Sequence, residues 1–493
     1  MALKGGSMIF TGRNVLMERL ASAGPGTINI PSEKIYEVGN YESLATIFDK
    51  PEITFTAESI DCTTSMEAML LDVPPSTLTA LDLARSRPIN VNTEIKPGKK
   101  AADPFKVMRS VSIPYLTVES VSYRFGLRDN ATQTFTLRGD SIYYNQGAAV
   151  EEIFTGSGVA GQKVTTTRPS LPFEDGNGKR YVLAVTAGTL LLSPGADYTM
   201  VNGTVTGDVA ASVEITLTNP VATTDKISVV YATSNVIEYP QSIHTPATLK
   251  PAAVRGKDID VYVSGYNPAD PSETAANKWT GVQAVTVDWR VTLEEEEEFG
   301  NYNAVSRDFD VPEVSGTIDI LPRDPDDLIR KIKQTSGVNS TAASIGPATA
   351  VPLDLDIIIK DGQNGGVTMK RLHVGDAKFK LPGYQPRPNT NTTMTIEWES
   401  DTGVLEIYRD LTAPRLVSIE PATGEADDEV KIYGVNFVGV SSVKFGSVEA
   451  TFVVESDREL TVTVPAGTDT VDVTITNSEG TSEVVAGGSF VYA

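Results

Sequence analysis

The chain contains one stretch twice. Glu37 to Thr56 reads EVGNYESLATIFDKPEITFT and Glu298 to Thr317 reads EFGNYNAVSRDFDVPEVSGT, and nine of the twenty positions are identical without a gap. Gly39-Asn40-Tyr41 falls on Gly300-Asn301-Tyr302, and Pro51-Glu52 on Pro312-Glu313. Repetition of this kind limits the fold first, because each copy must form the same supersecondary unit.

The correspondence runs on. Each copy passes through a polar turn into a short helix, over 64–71 in the first and 324–333 in the second. Thr64 with Glu67 has capping-box spacing, and Asp324-Pro325 is an N-cap with proline at the first helical position. Alternating strands return at 88–96 and 352–360, and each copy closes on a Thr-rich strand, 132–137 and 392–397. Ahead of the first copy, Asn14 to Leu20 predicts a short helix stopped by Gly24-Pro25-Gly26.

Between the copies lies a different β segment with strands at 181–185, 189–192, 213–217 and 227–231. From Ala413 onward, short alternating strands at even spacing predict a small sandwich. The resulting organisation is 1–144, first copy; 145–250, intervening β segment or insertion; 251–410, second copy; 413–493, immunoglobulin-like sandwich. The fold class is therefore mainly β, with one short helix expected in each copy.

Composition narrows the function. A chain of 493 residues holds several domains' worth of core, and 7% aromatic content with frequent Gly and Pro fits short strands and turns. A net charge of -23 opposes binding to nucleic acid through phosphate neutralisation. The single cysteine, Cys62, excludes an internal disulfide framework, so synthesis in a cytoplasm is expected. No apolar run has the length of a signal-peptide core or a membrane span, so neither secretion nor membrane insertion is expected.

The last segment resembles the TIG-type immunoglobulin-like module through Ile419-x-Pro421-x-x-Gly424, Ile432-x-Gly434-x-Asn436-Phe437 and Val443-x-Phe445-Gly446. It departs at Asp427-Asp428-Glu429, where that family usually carries a glycine. A duplicated β unit followed by such a module is similar in pattern to the tail tube proteins of long-tailed bacteriophages. The residues that carry this are the strand into Gly-Asn-Tyr, the Phe-Asp-x-Pro-Glu continuation and the helix after it, in both copies.

The resemblance implies a structural virion protein without enzymatic activity. In that family a β sandwich with one helix assembles into rings whose inner strands form a continuous barrel, and the rings stack into a tube that conducts DNA. Two units per chain would make the ring from three chains with pseudo-sixfold symmetry. The implied partners are further copies of the chain, tape measure and tail terminator or tip proteins, and DNA in transit. The implied location is the virion tail, after synthesis in the host cytoplasm.

Several motifs bear on function. Glu294, Glu295, Glu296, Glu297 and Glu298 are candidate lumen charge that would keep DNA sliding, against the plain reading of a solvated loop. The repeated Gly39, Asn40, Tyr41, Pro51, Glu52, Gly300, Asn301, Tyr302, Pro312 and Glu313 are candidates for a hairpin reaching a neighbouring subunit or ring, against a hairpin shaped for its own sake. Gly156 to Gly161 matches a dinucleotide-binding string, but β-branched residues and Pro169 follow where a helix is required, so a loop is expected. Asp175 to Gly178 begins like a calcium loop, but Thr186 stands where its closing glutamate belongs.

His244 and His373 lack metal-ligand spacing, and Cys62 has no base near it in sequence, so no catalytic, cofactor or metal site is expected. Trp279, Trp289 and Trp398 are few for a sugar cleft, and two of them lie on strands where core packing is the default. Two rival readings remain open: a surface adhesin or decoration protein gripping cell-surface glycan through immunoglobulin-like modules, and a glycan hydrolase with an accessory C-terminal module.

Overall fold

The computed structural model describes residues 8–492 except 14, 18–19, 27, 29–31, 37–42, 49–50, 61, 63, 72–76, 96–106, 108, 176–177, 236–253, 264–277, 297–304, 322–351, 362–366, 381–392, 410–413, 436, 438, 457–458, 478–479 and 483–487. The protein is mainly β.

The first copy comprises β1 (Met8–Gly12), β2 (Leu20–Pro25), β3 (Ser32–Tyr36), β4 (Ser43–Phe48), β5 (Ile53–Ser59), α1 (Ser65–Leu70), β6 (Thr77–Thr79), α2 (Ala80–Ala84), β7 (Ile89–Ile95), β8 (Arg109–Gly126), β9 (Thr132–Gly139) and β10 (Tyr143–Gln146). Alternation drives these strands. In β5, Ile53, Phe55, Ala57 and Ser59 turn inward while Thr54, Thr56 and Glu58 turn outward, so one face enters the core and the other stays polar. β9 does the same with Gln133, Phe135, Leu137 and Gly139.

After the intervening segment, whose strands include β11 (Ala148–Thr155), β12 (Lys163–Thr165), β13 (Ala184–Ala187) and β14 (Lys226–Thr233), the second copy follows. It comprises β15 (Ile259–Val263), β16 (Val282–Arg290), β17 (Leu293–Glu296), β18 (Ser306–Phe309), β19 (Glu313–Ile320), β20 (Leu353–Asp361), β21 (Val367–Lys380), β22 (Met394–Ser400) and β23 (Leu405–Arg409).

The duplication holds at the level of strand pairing. β1–β7, β2–β5, β3–β4, β5–β9, β7–β8, β8–β9 and β8–β10 pair antiparallel in the first copy. β15–β20, β16–β19, β17–β18, β19–β22, β20–β21, β21–β22 and β21–β23 repeat them in the second. Register is kept as well: Thr56 faces Thr136 in one copy, and Thr317 faces Glu397 in the other.

One long bent strand organises each copy. β8 pairs with β7 up to Leu116 and with β9 from Thr117, and Tyr115, at the register shift just before this switch, takes φ 59°. β21 turns in the same way at Asp376, φ 54°. A positive φ at a tyrosine is sterically costly, and here it redirects the strand from one sheet to the other.

The copies are also joined. β8 pairs with β16 from Gly126↔Ala284 to Ser120↔Arg290, so β2-β5-β9-β8-β16-β19-β22-β21 run as one continuous eight-stranded path. A second join pairs β6 with β23. Both copies contribute to a single hydrophobic core that includes Phe55, Phe135, Val121, Trp289, Ile357 and Trp398.

Three sequence expectations need correction. The described residues of 14–20 do not form a helix: Val15–Leu16 is a short strand on β1, and β2 begins at Leu20. β1 and β5 supply strand partners for Val15, Leu16 and Leu20 that a lone helix of seven residues could not match. The Thr64–Glu67 capping box does not form at α1, because Glu67 is drawn into the core. Nor is α1 the first copy's one helix: α2 follows it with a true capping box, Thr79 and Asp82 exchanging side-chain to backbone bonds of 3.1 and 2.7 Å. The predicted helix at 324–333 lies outside the described residues.

The intervening segment has its own core of Val150, Val164, Tyr198, Ile215 and Tyr231. It is tied to the first copy by Arg87 Nη1, which donates to Glu151 Oε1 at 2.7 Å, and by Asn92 Nδ2, which donates to the Ala149 carbonyl at 3.2 Å. The C-terminal sandwich, 415–492, is built around Ile419, Ile432, Phe437, Val443, Phe445 and Phe490. Asp427 takes φ 70° there, and Asp428 Oδ2 accepts the Glu425 N–H at 2.8 Å. The position where related modules prefer glycine is thus held by a residue that tolerates the left-handed region.

Candidate functional site

The outward face of the eight-stranded path is the first candidate. Thr54, Thr56, Thr134, Thr136, Thr286 and Thr317 line it at intermediate exposure, a consequence of the same alternation that fills the core behind. Its groups bond to one another. Thr286 and Thr317 hydroxyls are 3.0 Å apart, Ser122 bonds Asp288, Arg290 Nε donates to Glu313 Oε2 at 2.7 Å, and Lys380 Nζ donates to Glu399 Oε2 at 2.9 Å. Such a face is hydrophilic with its charges largely paired.

The acidic run lies beside this face. Glu294, Glu295 and Glu296 are on β17, which among the described residues pairs only with β18, as a two-stranded sheet. Glu294 and Glu296 are exposed, and Glu296 accepts the Ser306 hydroxyl. Glu295 is turned inward, 3.1 Å from Arg307 Nε and 3.5 Å from Arg138 Nε. Glu297 and Glu298 lie outside the described residues, as do Gly39, Asn40, Tyr41, Gly300, Asn301 and Tyr302.

Arg307 anchors that hairpin on the first copy. Its side chain is fully buried, forms an ion pair with Asp140 at 3.1 Å, and donates from Nη1 to the Tyr115 carbonyl at 2.8 Å. Its guanidinium carbon stands 5.0 Å from the centre of the Tyr115 ring. The Tyr115 hydroxyl lies 2.8 Å from the Thr189 carbonyl and 3.0 Å from that of Val305, and burial pushes its pKa up to about 12. The bend of β8, the hairpin of the second copy and the intervening segment therefore meet at one tyrosine.

Glu52 is exposed and 3.5 Å from Arg138 Nη2, while Glu313 is exposed and engaged by Arg290. Pro51 and Pro312 are half-buried. A Cβ on Gly403, φ 65°, would stand 2.1 Å from the Pro312 carbonyl oxygen, so the turn after β22 closes on the repeated proline through a glycine.

Two buried or half-buried polar clusters escaped the sequence reading. Lys370 of the second copy reaches into the core to Glu67, Gln133 and Tyr123 of the first. Its signal was present: Lys370 shares its parity in β21 with Leu372 and Val374, both fully buried. The other cluster sets His373 Nδ1 2.9 Å from Asp356 Oδ1 and Nε2 4.0 Å from Glu406 Oε2. Asp356 raises the His373 pKa above its usual value, against the effect of burial.

Residues 156–161 form a loop closed by Gln162, whose side chain accepts from Ser157 N and donates to the Thr155 carbonyl, and strand β12 follows. Asp175 and Gly178 face each other across a hairpin turn. Trp279, Trp289 and Trp398 are all buried, as is Cys62. Among the described residues no group of three or more metal-ligating side chains converges, and no helix is long and apolar enough to cross a membrane. His244 lies outside the described residues.

Comparison with known proteins bears on the C-terminal part. Residues 414–492 match the IPT/TIG domain family, so an immunoglobulin-like IPT/TIG module ends the chain. No curated protein matches the chain. Among solved structures, a γ-CGTase from Alkalophilic Bacillus clarkii shares 16% identity over 30% of this chain and 25% of its own, with a TM-score of 0.15. A candidate phosphatase from Bacteroides thetaiotaomicron VPI-5482 shares 23% identity over 17% of this chain and 18% of its own, with a TM-score of 0.14. The chain thus spans a quarter or less of each of these two structures, and similarity this low says nothing of activity. The protein is defined as a duplicated β protein with a C-terminal IPT/TIG module.

Proposed function

We propose that this chain is the subunit of a bacteriophage tail tube, assembling as trimeric, pseudo-sixfold rings that stack around a channel for DNA. The observation that carries the reading is the β8–β16 pairing, which joins the two copies edge to edge. β2 is the first copy's counterpart of β16, and among the described residues it is paired on one side only, with β5. β21 is the second copy's counterpart of β8. In a ring, β2 of one chain would receive a strand edge of the next, an unpaired edge of this kind being a template for such addition, while residues 381–387, which correspond to the part of β8 that pairs with β16, lie outside the described residues.

In this reading the Thr-lined face would surround the channel, with Glu294 and Glu296 adding negative charge beside it. Phosphates would meet hydroxyls and paired charges, which favours sliding over binding. The IPT/TIG module would sit on the outside, and tape measure and terminator or tip proteins would contact the ends of the tube. No catalysis is proposed.

A second reading, a surface adhesin or decoration protein that grips glycan, is favoured by the IPT/TIG match alone. Negative-stain microscopy with light-scattering mass separates the two. Rings or tubes whose ring mass equals three chains are expected. Persistent monomers, even with fragments of tube added as initiator, would remove the tube reading, and glycan-array binding by such monomers would put the adhesin in its place.

A further inference from the structure

The Lys370 cluster has the composition of a reaction centre. Lys370 and Glu67 are fully buried, and Gln133 and Tyr123 nearly so. Lys370 Nζ lies against Glu67 Oε1 and 2.9 Å from Gln133 Oε1, and 4.6 Å from the centre of the Tyr123 ring. The Tyr123 hydroxyl donates to Glu67 Oε1 at 2.7 Å. Two further atoms, Gln133 Nε2 and Glu67 Oε2, are buried with no hydrogen-bond partner among the described residues.

A lysine, a carboxyl and a primary amide brought together inside an apolar core hold everything that amide exchange needs. Burying an ammonium is costly, and a buried polar atom without a partner calls for an explanation. Amine and amide held at hydrogen-bonding range also react as if at very high effective concentration, because their encounter has already been paid for in folding. We propose that Lys370 and Gln133 form an intramolecular isopeptide bond, with Glu67 as the proton carrier, cross-linking the two copies of the repeat.

The step balances without any further reagent. Glu67 takes a proton from the Lys370 ammonium, and the free amine attacks Cδ of Gln133. Glu67 returns that proton to Nε2 as the Cδ–Nε2 bond breaks, then accepts the surplus proton from the new Cδ–Nζ amide. Ammonia leaves and carries that proton away as ammonium. Glu67 ends as the carboxylate it began as, and a buried cation has become a neutral amide. Burial, with Glu67 beside it, pushes the Tyr123 hydroxyl well above its usual range, so it stays protonated and keeps Glu67 in position.

The bond would span positions 133 and 370, tying β9 to β21 across the core. It does not rest on the tube reading, since a monomeric bead protein would be cross-linked in the same way.

Peptide mapping of the purified full-length chain by mass spectrometry tests it. Trypsin cuts after Arg128, Arg138, Lys360 and Arg371, whereas an acylated Lys370 is not cut. A branched species joining 129–138 to 361–371, lighter than the sum of the two by one ammonia, about 17 Da, is expected. In the E67Q variant the branched species should be absent and Lys370 cleaved. Unmodified 129–138 with cleavage at Lys370 in the wild-type chain overturns the proposal, and that result does not depend on any variant folding. A deficit of one water, about 18 Da, on a peptide containing Glu67 would place the bond on Glu67 and overturn Gln133 as acyl donor. Branching that persists in a folded E67Q variant overturns the role of Glu67.

Discussion

Gly316 lies directly opposite Trp398 across β19 and β22, and a Cβ on it would stand 2.5 Å from Trp398 Cζ2 and 2.1 Å from the Thr286 carbonyl oxygen. The same two places in the first copy hold Phe55 opposite Leu137. Large and small have changed sides of one strand pair while the pairing itself stayed the same. Close packing explains this: an interior filled to crystal density accepts a larger ring only where its neighbour retreats.

Substitution at this pair is therefore asymmetric. Gly316→Ala should destabilise the protein by about 1–3 kcal/mol through overpacking. Trp398→Leu should cost about 2–4 kcal/mol as a cavity. Adding Trp398→Leu to Gly316→Ala should recover only the clash with the ring, because the Thr286 carbonyl remains in place. Urea unfolding of the three variants checks this, and a wild-type midpoint for Gly316→Ala would refute the packing argument.

Arg307 and Arg290 make contrasting ion pairs. Arg307 and Asp140 are 0% and 2% exposed, whereas Arg290 and Glu313 are 73% and 65% exposed. Arg307→Met removes one partner of a buried ion pair and should cost about 3–5 kcal/mol. Arg290→Ala should cost about 0–1 kcal/mol. Equal losses in thermal or denaturant melts would contradict the assigned burial.

His373 predicts a pH dependence of defined sign. Its folded pKa is raised, chiefly by the hydrogen bond to Asp356, with Asp354 adding to the rise and Arg371 and burial opposing it. The cluster therefore contributes stability that is complete below the unfolded histidine pKa of about 6.5 and is lost as pH rises through the higher folded value. Unfolding free energies of wild type and His373→Gln should diverge most at pH 5.5 and converge toward alkaline pH. A difference that grows with pH would show that the histidine is held neutral instead.

The C-terminal module has a closed core of its own, in which Phe490 stacks edge-on against Phe445 at 5.3 Å and Tyr492 at 5.2 Å. A fragment of residues 413–493 should unfold cooperatively by itself, and Phe490→Ala should cost it about 3–5 kcal/mol. A fragment without a cooperative transition would mean that the module needs the rest of the chain.

Much of the fold was legible in particular residues. The Gly-Asn-Tyr and Phe-Asp-x-Pro-Glu repeat marked the duplication, and the alternation of Ile53, Phe55 and Ala57 marked a strand with one buried face. The IPT/TIG module was readable because its short strands make their core from neighbours in sequence. Residues 14–20 were misread because so short a segment, with Val15, Leu16, Met17 and Leu20 as its apolar positions, does not separate the two periods, and the deciding factor was the strand edges supplied by β1 and β5. Glu67 was misread for a related reason: its capping partner is local, but the partner that won lies 303 positions away.

The sequence by itself determined the β class, the duplication and the C-terminal module, because alternation, turn residues and repetition are local properties. The tertiary structure alone decided that the two copies share one sheet and one core, that Arg307 pins the second copy's hairpin to the bend at Tyr115, and that Lys370 meets Gln133 and Glu67. Each of these rests on contacts between residues far apart in the chain, whose free energy comes from burial and charge pairing after closure and leaves no periodic trace in sequence.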